Sequence, residues 1–177
     1  MLRPTFPSNF ALIAVLLCLA ASSARAEKWN TLKYPEDGFR ALFPSTPKLD
    51  QSEKNAETGS IKLSSYCSQV DQTSLCVAVI DQGAQATNMD TDTLFERARL
   101  SVYAVPNTHK ISETQQSLDG NKGVEIVTEN ETTHSINRIY EVGETLYQTV
   151  VAYPRNTKYA DSDKFLDSFH LIPRIRH

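Results

Sequence analysis

VEIVTENETTHSINRIYEVGETLYQTVVAY, residues Val124–Tyr153, decides the fold class of this chain. Val124, Ile126 and Thr128 alternate with Glu125, Val127 and Glu129. Ile136, Arg138 and Tyr140 alternate with Asn137, Ile139 and Glu141. Gly143-Glu144 makes a turn, and Leu146–Tyr153 is then almost wholly β-branched or aromatic. Successive side chains of a strand point to opposite faces, so period-two patterns between turn residues predict consecutive antiparallel strands. The last of them is apolar on both faces, which predicts a central strand covered on both sides.

The pattern extends in both directions. Phe39, Ala41 and Phe43 alternate with Arg40 and Leu42 before Pro44 and Pro47 stop the run. Ile61–Cys67 and Leu75–Ile80 are strand-like, with polar residues between them. Asp50–Gly59 reads as a long polar loop, and Ile80–Asp90 as a second one around Gly83. Two segments change period. Leu94, Phe95, Ala98 and Val102 share one face at helical spacing. Asp90–Thr93 offers N-caps, Thr93 with Glu96 fits a capping box, and the helix must end by Val105-Pro106. Asn156–Ser168 reads as a second helix with Phe165, Leu166 and Phe169 facing inward, and Pro173 ends a short strand after it. The expectation is α+β: a single domain, mostly antiparallel β-sheet flanked by two main helices.

The first residues carry an address. Arg3 precedes the apolar run Phe10–Ala21, and Ala24-Arg25-Ala26 puts small residues at a cleavage position. Met1–Ala26 is thus read as a signal peptide, with residues 27–177 as one globular domain. Leu17 before Cys18 is not the small residue that a lipid-modified cysteine wants. The expected location is periplasmic or secreted. No later stretch reaches the roughly 18 apolar residues of a membrane span. The 177-residue chain has 18 Lys and Arg against 21 Asp and Glu, a formal net charge of −3. The leader holds Arg3 and Arg25 and no acid, so the remainder is more acidic still. That balance argues against nucleic acid and anionic lipid as partners. Arg174-Ile-Arg176-His177 reads as a solvated basic tail.

After the leader, Cys67 and Cys76 remain, an even pair suited to one disulfide in an oxidising compartment. With Asp71-Gln72 as a two-residue turn, Val70 faces Thr73 and Cys67 falls opposite Cys76, in a non-hydrogen-bonded pair. A redox pair would want the shorter C-x-x-C spacing.

Catalytic motifs are missing: there is no G-x-S-x-G, H-E-x-x-H, Walker loop or dinucleotide fingerprint, and no cofactor is called for. His109, His134, His170 and His177 show no metal-ligand spacing. Asp161, Asp163, Asp167 and His170 are the weak metal candidates, although Asp near a helix start also favours the helix dipole. His134, Arg138 and Asp167 are the residues from which a small enzyme site would have to assemble.

Trp29 and Tyr34-Pro-Glu-Asp-Gly38-Phe39, followed by Leu42-Phe43-Pro44 and Pro47, resemble the start of small exported bacterial proteins of unassigned function. Arg138-x-Tyr140-x-Val142-Gly143 with Leu146-Tyr147 resembles their middle hairpin, and Phe165-Leu166-Asp167-Ser168-Phe169 their closing helix. Ser45 departs from the pattern, which has glycine there. Such proteins are similar to the PsbP-like fold, the α/β/α sandwich of the extrinsic photosystem II subunit. The resemblance implies a binding or assembly module and transfers no site residue. The expected function is therefore a non-catalytic exported binding or accessory module with an exported or envelope protein partner. A carrier of a small ligand or metal ion, with its pocket between sheet and helix, and a small enzyme are the alternatives.

Overall fold

The computed structural model describes residues 28–56, 59–81 and 91–175. In chain order its elements are β1 (Asn30–Tyr34), β2 (Phe39–Phe43), β3 (Lys48–Ala56), β4 (Gly59–Val70), β5 (Thr73–Asp81) and α1 (Thr91–Val102). They continue with β6 (His109–Leu118), β7 (Asn121–Glu129), β8 (Thr133–Val142), β9 (Thr145–Pro154), α2 (Ser162–Leu166) and β10 (His170–Leu171). Seven strands form one sheet in the order β3-β4-β5-β9-β8-β7-β6, and β1-β2-β10 form a second. The signal-peptide reading of Met1–Ala26 lies outside the described residues, as does most of the loop expected at Ile80–Asp90.

The stretch that set the fold class folds as the meander β7-β8-β9, with Ile126 opposite Asn137 and Asn137 opposite Val150. β9 is the middle strand of the seven. One face of the large sheet packs on the small sheet and α2 through Phe39, Phe43, Leu75, Val77, Val151, Phe165 and Phe169. The other face packs on α1 through Ala98, Val102, Val124, Ile126, Ile139 and Leu146. Arg99 of α1 also pairs with Glu113 of β6 at 3.2 Å. The side chains of Leu94 and Phe95 lie outside the described set.

Three expectations need correction. Asp50–Gly59 is not a loop: it supplies most of β3, which pairs with β4 from Lys48 opposite Cys67 to Ala56 opposite Gly59. Its residues are polar on both faces because β3 is an edge strand and the described ones are exposed. The helices are small. α1 has 12 residues and α2 only 5. The helix expected over Asn156–Ser168 is confined to Ser162–Leu166 because turns take up the chain before it, Thr157 N–H donating to Pro154 O and Ser162 N–H to Tyr159 O. Asn, Thr and Asp favour such local turns over helix. Phe165, Leu166 and Phe169 nonetheless face inward, each 2% exposed or less. α1 begins at Thr91, so Thr93 lies inside its first turn and not before it.

Val70 opposes Thr73 across Asp71-Gln72, and Cys67 opposes Cys76. The two cysteines are disulfide-bonded with Cα atoms 4.2 Å apart. Because the bond closes a loop of about ten residues, replacing both cysteines by serine should lower the unfolding free energy by about 2–3 kcal/mol in a urea titration. An unchanged midpoint would mean that the strand pairing alone fixes this hairpin.

Candidate functional site

β8 sends His134, Ile136, Arg138 and Tyr140 to the face that packs on α2, as period two requires. Arg138 bridges two acids there. Its Nε donates to Glu125 Oε2 at 2.7 Å and its Nη1 to Asp167 Oδ1 at 2.6 Å. His134 is engaged elsewhere: Nδ1 lies 3.2 Å from Glu129 Oε2, and the ring stacks on Tyr153 with centroids 5.0 Å apart. The structure thus joins Arg138 to Asp167 and leaves His134 in a separate pair. Asp161 pairs with Lys164 at 3.6 Å. Asp161, Asp163, Asp167 and His170 do not converge, and among the described residues no group of three His, Cys, Asp or Glu is placed to hold a metal ion.

Glu129 is held between His134 and Arg155. The hydrogen bond from His134, then the charge of Arg155, keeps its carboxyl below its ordinary value of 4.5 against the opposing effect of burial. A depressed carboxyl stabilises the folded state above the unfolded pKa, and that contribution is lost as pH falls through the folded value. The melting temperature should therefore drop as pH is lowered through 4.5 and below, with a shallower drop in Glu129→Gln. Identical profiles for the two proteins would refute this coupling.

A second polar cluster closes one end of the sandwich. Gly38, at φ +74°, turns the chain from β1 into β2, and a Cβ there would meet Tyr147 Oη at 3.0 Å. Beside it, Tyr66 Oη donates to Asp37 Oδ2, and Tyr147 Oη donates to the Asp37 carbonyl at 2.9 Å. Burial, then the bond to Asp37, pushes the Tyr66 hydroxyl well above the ordinary tyrosine value, so it does not ionise near neutral pH. Arg174 donates from Nε to Glu36 O at 2.9 Å, from Nη1 to Thr145 Oγ1 at 3.0 Å and from Nη2 to Asp81 Oδ2 at 3.0 Å. The tail expected to be solvated is therefore anchored at Arg174, and Ile175 N–H adds a bond to Pro35 O. Grooves of about 480 and 850 Å³ flank this cluster. Each guanidinium nitrogen of Arg174 has an internal acceptor, which makes Arg174 a clasp between chain segments.

The opposite face holds a different kind of cavity. A groove of about 470 Å³ runs between the C-terminal end of α1 and the sheet. Asn137 lies in its floor and is only 4% exposed. Its Nδ2 donates to Ser135 Oγ at 3.0 Å, and its Oδ1 accepts from Gln148 Nε2 at 3.0 Å. Val102 and Val105 line the groove from the helix side, Val150 and Ala152 from β9. Register explains the assembly. Odd residues of β8 and even residues of β9 share the α1 face, so Ser135 opposes Ala152, Asn137 opposes Val150 and Ile139 opposes Gln148. Val150 in turn opposes Cys76, so the disulfide borders the groove floor. Burying a primary amide in the middle of a sheet is costly unless its donors and acceptors are used. The sequence signal was available: Asn137 interrupts a strand whose neighbour is apolar on both faces.

Among the described residues no helix is long and apolar enough to cross a membrane. No family model matches the sequence, and no curated protein matches it. Solved structures do. The solution structure of cyanobacterial PsbP from Synechocystis sp. PCC 6803 aligns with a TM-score of 0.55 at 10% identity, over 86% of this chain and 97% of that one. A Pseudomonas aeruginosa protein of unknown function aligns at 0.40 and 6% identity, over 59% of this chain and 83% of that one. A Bacteroides thetaiotaomicron VPI-5482 protein aligns at 0.44 and 12% identity, over 80% and 47%. The first of these, with the large antiparallel sheet packed between the small sheet and α2 on one face and α1 on the other, gives this chain a PsbP-like fold.

Proposed function

We propose that the protein is a non-catalytic exported binding module and that the groove between α1 and the large sheet is where it takes its ligand. The observation that carries this reading is the buried Asn137, held between Ser135 and Gln148 on the floor of an open groove. A cavity of this size with a few fixed polar groups suits a small molecule. The intramolecular disulfide is compatible with an oxidising, exported setting. The PsbP-like neighbour supports the fold and supplies no activity. The ion pairs of Arg138 with Asp167 and of His134 with Glu129 favour a structural role for these three residues of the enzyme alternative, His134, Arg138 and Asp167.

The native mass of protein isolated from the exported fraction tests this reading. A mass above that of the disulfide-bonded chain, reverting to the bare chain in Val105→Trp, is expected. Val105 is 52% exposed at the groove, so a larger side chain there obstructs the cavity without entering the core. A bare mass in both proteins together with no ligand binding the groove in solution, or a turnover activity lost in Arg138→Ala, would overturn it.

A further inference from the structure

Resting on that reading, we propose that the groove takes a neutral, hydroxyl-rich small molecule of the size of a mono- or disaccharide. The polar side chains of its lining are mainly amides and hydroxyls. Asn137 and Gln148 are the amides of the floor, with Ser135, Thr128 and Thr133 beside them. Each amide offers two donor hydrogens and an acceptor oxygen, and each hydroxyl one donor and two acceptor sites. Gln148 gives one N–H to Asn137, which leaves its second N–H and its carbonyl for a ligand.

The charge balance decides between ligand classes. Glu129 is the charged residue of the lining, and His134 and Arg155 already hold its carboxylate. An ionic ligand would shed hydration without finding a counter-charge there. A purely apolar ligand would cover Asn137 and Gln148 and leave their spare groups unpaired. A neutral polyol meets both conditions: its hydroxyls match the amides, and its C–H faces lie on Val102, Val150 and Ala152. Among the described residues no aromatic ring lines the groove to stack on a sugar face, so affinity is modest and recognition comes from the amides.

Titration of the disulfide-bonded protein with maltose, glucose 6-phosphate and decanoate, followed by the side-chain amide resonances of Asn137 and Gln148, tests the proposal. Maltose should move both pairs of resonances in saturable fashion. Gln148→Leu should raise the maltose dissociation constant at least tenfold, and Val105→Trp should abolish the response while keeping the rest of the spectrum. If glucose 6-phosphate or decanoate moves these resonances and maltose does not, the ligand class is wrong and the binding reading stands. If none of the three moves them and the isolated protein is bare, both fall.

Discussion

Replacing Phe165 by alanine is expected to lower the unfolding free energy by about 3–5 kcal/mol, the range for deleting a buried aromatic. Phe165 is 1% exposed and meets Phe43 of β2 edge-on, with ring centroids 5.4 Å apart. The helix that carries it has 5 residues. A helix that short has no stability of its own in water and exists because its apolar side chains are packed. Phe165 and Leu166 are those side chains, and just beyond the helix Phe169 stacks on Phe39 at 5.7 Å. Losing Phe165 therefore opens a cavity between the sheets and loosens the segment that delivers Asp167 to Arg138. In a urea titration the midpoint should fall with little change in slope. Phe165→Leu should recover more than half of the loss. A Phe165→Ala protein within about 1 kcal/mol of wild type would mean that α2 is not part of the core.

Gly123→Val should cost at least as much as the upper end of ordinary overpacking, about 3 kcal/mol. Gly123 pairs directly with Tyr140 across β7 and β8. A Cβ on Gly123 would stand 2.4 Å from Tyr140 Cδ1 and 2.8 Å from the Ile139 carbonyl oxygen. The first obstacle is a ring that is 5% exposed and lies parallel to Phe169 at 6.2 Å, so it has little room to swing aside. The second is backbone inside a strand ladder and cannot yield without breaking the pairing. The glycine is there for space: the tyrosine lies over it. Gly123→Ala alone should lower stability by about 1–3 kcal/mol. Thermal unfolding of both variants checks this, and a valine variant as stable as wild type would refute the packing.

What was legible in the sequence, and what was not, divides along the sheet. The interior strands announced themselves. β9, with Leu146–Tyr153 apolar on both faces, is the middle strand, and β2, β5, β7 and β8 alternate as half-buried strands do. The strands that gave no readable signal are β1, β3 and β6, and each is an edge. An edge strand has one neighbour and much solvent, so its side chains need not alternate. Lys48–Ala56 and His109–Leu118 are accordingly polar runs. Helix length misled for a related reason: three inward anchors at Phe165, Leu166 and Phe169 need only a turn or two of helix to display them.

The candidate site was legible in part. The pairing of Cys67 with Cys76 followed from the turn at Asp71-Gln72, because register in a hairpin propagates outward from its loop. The groove did not follow, since its polar residues come from β7, β8 and β9 and meet only through strand register. Of His134, Arg138 and Asp167, the structure pairs His134 with Glu129 and Arg138 with Glu125 and Asp167. Arg138 does meet Asp167, but as a tie between the sheet and the end of α2.

The polar edges also bear on how copies of this protein treat one another. An exposed strand edge offers unpaired N–H and C=O groups to any chain that can lie alongside. At one end of the large sheet, β3 presents Lys48, Asp50 and Glu53, all exposed. At the other, β6 carries Lys110 and a break in register between Lys110 and Ser112, which kinks and twists the edge away from a straight partner. A second copy that docked there would have to desolvate these charges for a distorted ladder. The residues that conceal these strands from pattern reading are also the ones that discourage sheet-to-sheet growth into aggregates.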